Sequence, residues 1–366
     1  MIDDMRPRER KRAFLEGRDI DRLPGWYFPE NYCGNLTGIT MREYYLDPAK
    51  QIEAILATHT RWELDTVQTM FNIGLDLGTE MEFPENGYAV TSKTIDPTEK
   101  EIESWALDDP RTNPAPAVRT SWYILNELID KLGETEKAEI SVMVPGPFTM
   151  ASSTIGTERF LKKLIRDPDY VHLLVGKLTD LIIEGVQALR GYDVIFWTGD
   201  PIASGSMIKP DQYRTFAKPY MTRIVNALKD VVPQNEHMLH MCGNTTKIWE
   251  DMADTGTQMI NIDETIDFAD ARRRVGDRTR LVGHVAPMTM LIGSEEDVIN
   301  DLKASIKDAW GAKRMLIPGF GDAPPMASPI KNFDALFAAH RKYAKWPVDP
   351  TGWDSKAPYQ QKVTER

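Results

Sequence analysis

Residues 193–242 read DVIFWTGDPIASGSMIKPDQYRTFAKPYMTRIVNALKDVVPQNEHMLHMC. The first six residues are a short run rich in Val, Ile and aromatics, closed by Gly199, Asp200 and Pro201. A longer helical pattern follows, and a second short apolar run, 236–242, ends at Gly243-Asn244. A short apolar run, a turn, a helix-length segment and another short run predict βα units on a parallel sheet.

The same rhythm recurs at 24–28 (PGWYF), 64–69 (LDTVQT), 139–145 (EISVMVP), 258–263 (QMINID), 280–285 (RLVGHV) and 314–318 (RMLIP). Between them, Phe160, Leu161, Leu164 and Ile165 share one helical face, as do Leu174, Leu178, Leu181 and Ile182. Strands in this number, alternating with helices, fit a closed (β/α)8 barrel. The competing doubly wound open sheet lacks a G-x-G-x-x-G after its first strand. Residues 79–105 alternate in a two-residue period around Asn86-Gly87, which reads as a β-hairpin inserted after the second strand. The expected organisation is one barrel domain over 1–346 and a Pro-rich, polar and poorly ordered extension over 347–366.

Hydrophobic residues make up 42% of the chain and charged residues 27%, enough apolar material for a large core. With 44 basic against 55 acidic side chains the net charge is -11, which argues against a nucleic-acid phosphate backbone as partner. The charged start MIDDMRPRERKR has no apolar run behind it, and no stretch reaches the ~18 apolar residues of a membrane helix. Two cysteines, Cys33 and Cys242, suit a reducing cytoplasm.

In a barrel of this kind the chemistry sits where strands end. His240-Met241-Cys242 lies at such an end. Residues i and i+2 of a strand face one side, so an imidazole and a thiolate there can share one ion, with Zn–N of ~2.0 Å and Zn–S of ~2.3 Å. The plain alternative is a core histidine and cysteine. A catalytic zinc site keeps three protein ligands and an open position. His284, Asp200, Asp322, Glu264 and Cys33 are the further candidates. His284 reads as a third ligand, a general acid or a hydrogen-bonded polar residue, and Asp200 as an orienting carboxylate or a loop cap. Trp26, Tyr27, Phe28 and Tyr32 cluster at the first strand end, and Trp197 lies at the end of the run 193–198. They read as barrel packing or as a flat wall for an aromatic ligand.

The segments VPGPFTMASSTIGTERF, DPDYVHLL, DVIFWTGDPIASGSMIKPDQYRTFAKPY, HMLHMCGNTT, GTQMINIDE, LVGHVAPMTMLIGSEEDV and LIPGFGDAPPMASPIKNFDAL resemble, in order and spacing, the uroporphyrinogen-decarboxylase superfamily. That resemblance implies a (β/α)8 barrel with a deep cleft. Decarboxylases of the superfamily carry an Arg-rich R-Q-A-G-R-Y loop after the first strand. Here the stretch is YFPENYCGNLTG, with Glu30 and no arginine, which would repel a polycarboxylate. The His-x-Cys-Gly-Asn-Thr segment is instead similar to the zinc methyltransferase branch, which moves methyl groups to or from the cobalt of a separate corrinoid protein. The resemblance makes His240 and Cys242 zinc ligands. It also expects a second cysteine in a P-G-C-G turn, where this chain has Pro318-Gly319-Phe320-Gly321, and Gly-Asn-Val where it has Gly283-His284-Val285.

From these residues the preferred expectation is zinc-assisted transfer of methyl from a methoxylated aromatic to Co(I). His284 ligates or protonates, Asp200 orients, and Tyr27, Phe28, Trp197 and Phe320 hold the ring. A phenolate with pKa ~10 is a poor leaving group near neutral pH, so a Lewis acid or a proton donor is needed. The alternatives are methyl transfer from a methyl-corrinoid to a thiol of the coenzyme M type, a decarboxylase, and a non-catalytic tetrapyrrole-binding protein.

Overall fold

The computed structural model describes residues 4–27, 33–85, 87–108, 115–133, 137–232, 236–308 and 314–353. Among the described residues nine strands are formed: β1 (Thr66–Met70), β2 (Glu80–Glu82), β3 (Val90–Lys93), β4 (Glu139–Pro145), β5 (Ile195–Gly199), β6 (His237–His240), β7 (Met259–Asn261), β8 (Arg280–Val285) and β9 (Leu316–Phe320). Seven of them follow one another in one sheet in the order β1-β4-β5-β6-β7-β8-β9, and β2 pairs with β3. The pairs β5/β6, β7/β8 and β8/β9 are parallel, as chain segments separated by helices must be. No described helix is long and apolar enough to cross a membrane.

Among its described residues, 24–27, the segment expected as a first strand forms an isolated parallel bridge, Trp26 to Gly319. Pro24 has no N–H to give, and the Gly25 N–H is taken by the Asp65 carboxylate at 2.7 Å. Trp26 donates into the neighbouring strand, to the Pro318 carbonyl. The hairpin expected over 79–105 is shorter. β2 and β3 are antiparallel with a register shift at Glu80/Met81, and Glu99–Ser104 is a helix. Thr98 and Glu101 form a capping box, so helix geometry wins there over the alternating pattern. The expected loose tail is docked as far as it is described. Lys307 donates to the Trp353 carbonyl, and the Trp353 ring meets Tyr343 edge-on at 5.4 Å.

The chain falls into two compact units, Met1–Gln68 with Asn126–Ser141 and Met259–Arg366, and Thr69–Leu125 with Val142–Gln258. The first holds a buried polar knot. Arg10, fully buried, reaches Asp21 and Asp65, each at 2.5 Å, while Arg22 reaches Asp65 at 2.5 Å. His340 lies 2.5 Å from the Tyr27 hydroxyl and 2.9 Å from the Leu23 carbonyl. This knot ties the N-terminal segment to the start of β1 and to the helix Ile330–Tyr343, which sequence patterning alone leaves unconnected.

Candidate functional site

In the second unit β5 and β6 run in register, Gly199 opposite His240. Beyond β6 the chain turns at Gly243, whose φ of 84° favours glycine. A Cβ there would also lie 2.5 Å from the Ser206 hydroxyl. The Asn244 N–H donates to that hydroxyl at 2.8 Å, and the Asn244 side chain accepts from the Thr246 N–H. This tight turn fixes the exit of β6 and with it the side chains at 240 and 242. His240 Nε2 lies 3.0 Å from Cys242 Sγ, as the two-residue spacing predicts. The Trp197 ring stands edge-on to the His240 imidazole, centroids 6.0 Å apart.

Asp200, next after β5, is fully buried. Its Oδ1 accepts the Thr149 N–H at 2.6 Å, and its own N–H donates to the His240 carbonyl at 3.0 Å. Burial pushes its carboxyl up to about 6, against the hydrogen bonds from Thr149 and Phe148 that favour the charged form. Its Oδ2 has no hydrogen-bond partner among the described residues, and neither has the buried hydroxyl of Tyr213. Burial and the nearby charges of Asp200 and Asp251 push the Tyr213 hydroxyl well up from its ordinary value. Tyr213 and Thr149 were not found from sequence, because nothing in PDQYRTF or PFTMASS marks them apart from helix residues.

In the first unit, β7 and β9 are followed by carboxylates. Glu264 is pushed up to about 8 by burial and by Asp263, with Asp322 and Asp301 adding. Gly321 allows the approach, since a Cβ there would lie 2.6 Å from the Glu264 nitrogen and 2.8 Å from Oε2. Asp322 accepts the Ala323 N–H. His284 is enclosed: its Nδ1 lies 3.0 Å from the Ser305 hydroxyl and its ring stacks on Phe268 at 4.2 Å. Burial pulls it down to about 3, so the imidazole is neutral near pH 7. Tyr27 and Phe320 sit in an aromatic core. Tyr27 meets Phe320 at 5.2 Å and Phe337 at 5.1 Å, and Phe320 meets Phe333 at 6.2 Å. Both rings are buried, and these contacts are those of packing rather than of an open wall. Phe28, and the side chain of Cys33, lie outside the described residues.

The site residues at 197–242 and the strand order around them can be compared with known proteins. The family model described as "Uroporphyrinogen decarboxylase (URO-D)" matches residues 6–343. The chain belongs to the URO-D family. Similar URO-D-family relatives include "Methylcobamide:CoM methyltransferase MtaA" of Methanosarcina barkeri, 28% identical over 343 residues, 90% of this chain and 96% of the relative. "Methylcobamide:CoM methyltransferase MtbA" of Methanosarcina mazei is 28% identical over 307 residues, covering 80% and 86%. "Uroporphyrinogen decarboxylase" of Synechococcus sp. is 26% identical over 241 residues, covering 62% and 64%. Among solved structures, a "methyltransferase from Methanosarcina mazei" superposes with a TM-score of 0.76 at 22% identity, covering 93% of this chain and 99% of that one. At that identity the likeness shows the fold, an α/β barrel of the URO-D type.

Proposed function

We propose that the protein is a methyltransferase that passes a methyl group from a methylated corrinoid, carried by a partner protein, to a small thiol. The observation that carries the reading is the convergence of His240 Nε2 and Cys242 Sγ, 3.0 Å apart at the end of β6. One zinc ion accepts a nitrogen at ~2.0 Å and a sulfur at ~2.3 Å only if the two donors lie within about 4.3 Å of each other. The pair meets that condition, so His240 and Cys242 fit zinc. Bound there, zinc would stabilise a substrate thiol as its thiolate, the nucleophilic form. His240 Nε2 and Cys242 Sγ would hold the ion, with the Trp197 ring edge-on beside the imidazole. In the transfer the substrate thiol gives its proton to water and its sulfur forms the bond to the methyl carbon. The carbon–cobalt bond breaks with both electrons left on the corrinoid as Co(I).

The methylcobamide:CoM methyltransferase names of the MtaA and MtbA relatives support a thiol acceptor over the methoxylated aromatic preferred from sequence. So does the enclosure of Tyr27 and Phe320, two of the rings invoked to hold an aryl group. Phe320 stands where the resemblance expects a second cysteine. One thiolate fewer leaves a bound ion less electron-rich and a stronger Lewis acid.

The direct test follows the absorbance of methylcobalamin mixed with the protein and a small thiol, with mass detection of the thioether. The proposal expects loss of the carbon–cobalt band matched by thioether. Methylation of Co(I) by a methoxyarene, without thioether formation under any thiol, would return the aryl-ether reading instead.

A further inference from the structure

Asp200 joins the ends of three strands in the second unit. The helix Pro147–Ile155, which follows β4, starts at Gly146, a residue with no side chain to cap it. Asp200 supplies the missing cap from another strand end: its Oδ1 accepts the Thr149 N–H at 2.6 Å, as a residue at the helix start would do locally. Glycine is required at 146 for this approach, since a Cβ there would lie 2.6 Å from Asp200 Cβ and Cγ. The Gly146 N–H donates to the Gly199 carbonyl at 3.2 Å, and the Ile202 N–H to the Thr149 hydroxyl at 3.1 Å. The segment 199–202 is thus clamped to the start of that helix on both sides of Asp200. On its other edge the Asp200 N–H holds the His240 carbonyl at 3.0 Å.

We infer that Asp200 is the positioning residue for His240: its side chain anchors to the helix Pro147–Ile155 so that its backbone holds the imidazole facing Cys242. Asp200 therefore acts through His240 and not on substrate. The inference rests on the proposed metal role of His240 and Cys242 only for its first readout. Positioning groups behind metal ligands commonly set affinity by about 10–100-fold.

The experiment titrates Co(II), as a spectroscopic probe, into the metal-free full chain and its Asp200→Ala and Asp200→Asn variants. Thermal melts run alongside. Asparagine caps as well as aspartate, so Asp200→Asn is expected within about twofold of the parent, and Asp200→Ala about tenfold weaker or more, with the thiolate band diminished. If Asp200→Ala does not fold, Asp200→Ser, too short to reach the Thr149 N–H, carries the same expectation. Loss of melting temperature with unchanged Co(II) affinity would mean a merely structural cap and overturn the inference. If the parent chain binds no Co(II), the metal reading fails, and crystal structures of parent and variant decide the positioning separately. A His240–Cys242 separation that widens from 3.0 Å upholds it, and one that does not refutes it.

Discussion

His240 and Cys242 bring a nitrogen and a sulfur to 3.0 Å from each other across Met241, whose own side chain is buried. The alternation of an extended chain sends Met241 one way and its two neighbours the other. The Gly243 turn then stops the chain before the donors diverge.

Gly243→Ala tests that stop. Alanine at φ 84° is strained by about 1–2 kcal/mol, and its Cβ would press on the Ser206 hydroxyl. The expected outcome is a lower denaturation midpoint together with weaker zinc retention on dialysis. Retention equal to the parent's would show that the turn does not hold Cys242 in place.

Asp65 carries the buried knot of the first unit. Burial would raise its carboxyl, but the charges of Arg22 and Arg10 outweigh this and hold it far below 3.8. An acid depressed on folding adds stability above its unfolded value and loses it as pH falls toward the folded one, so the knot is intact at neutral pH. Asp65→Asn leaves Arg10 and Arg22 short of a buried counter-charge and is expected to cost about 3–5 kcal/mol. Urea unfolding at pH 7 reads this, and a cost under about 1 kcal/mol would contradict the assignment.

Glu264 has the opposite sign. Burial and Asp263 raise it from 4.5 to about 8, so the folded chain prefers the protonated acid and loses stability as pH climbs between those values. Glu264→Gln in the metal-free protein is expected to be more stable than the parent at pH 8, with the advantage shrinking toward pH 4.5. Melting curves across that range check it. A gap independent of pH would mean that the carboxyl is ionised throughout.

Phe320 separates packing from binding. Replacing a buried aromatic with alanine is expected to cost about 3–5 kcal/mol. Phe320→Leu, which keeps most of the volume, is expected to lower the melting temperature without changing KM for the thiol. A KM rise at unchanged stability would restore the ring-holding role expected from sequence.

Much of the fold was legible because strand and helix periods are local. Seven of the strand segments expected from sequence appear in the sheet, with ends shifted by a few residues. The segment at 24–28 failed because a distant residue, Asp65, claims the Gly25 N–H that a strand would have used. The helix at Glu99–Ser104 was legible after all in Thr98-x-x-Glu101, a cap signal outweighed by alternation in the reading of 79–105. At the candidate site, the meeting of His240, the last residue of β6, with Cys242 was readable because the two lie only two positions apart on one extended segment. Asp200 was readable only as a residue, since its partner Thr149 is 51 positions away. The buried pairing of Arg10 and Arg22 with Asp65 had no signal, because charged residues in an amphipathic stretch look solvated until their partners are placed.

The central claim is that His240 and Cys242 together hold a metal on which methyl transfer to a thiol depends. Its most direct measurement is the zinc content of the purified chain beside its Cys242→Ala and His240→Ala variants, with thioether formation assayed on the same samples. The account predicts about one zinc per parent chain, loss of zinc and of transfer in both variants, and normal melting curves throughout. Transfer at the parent rate by a zinc-free Cys242→Ala chain would contradict it.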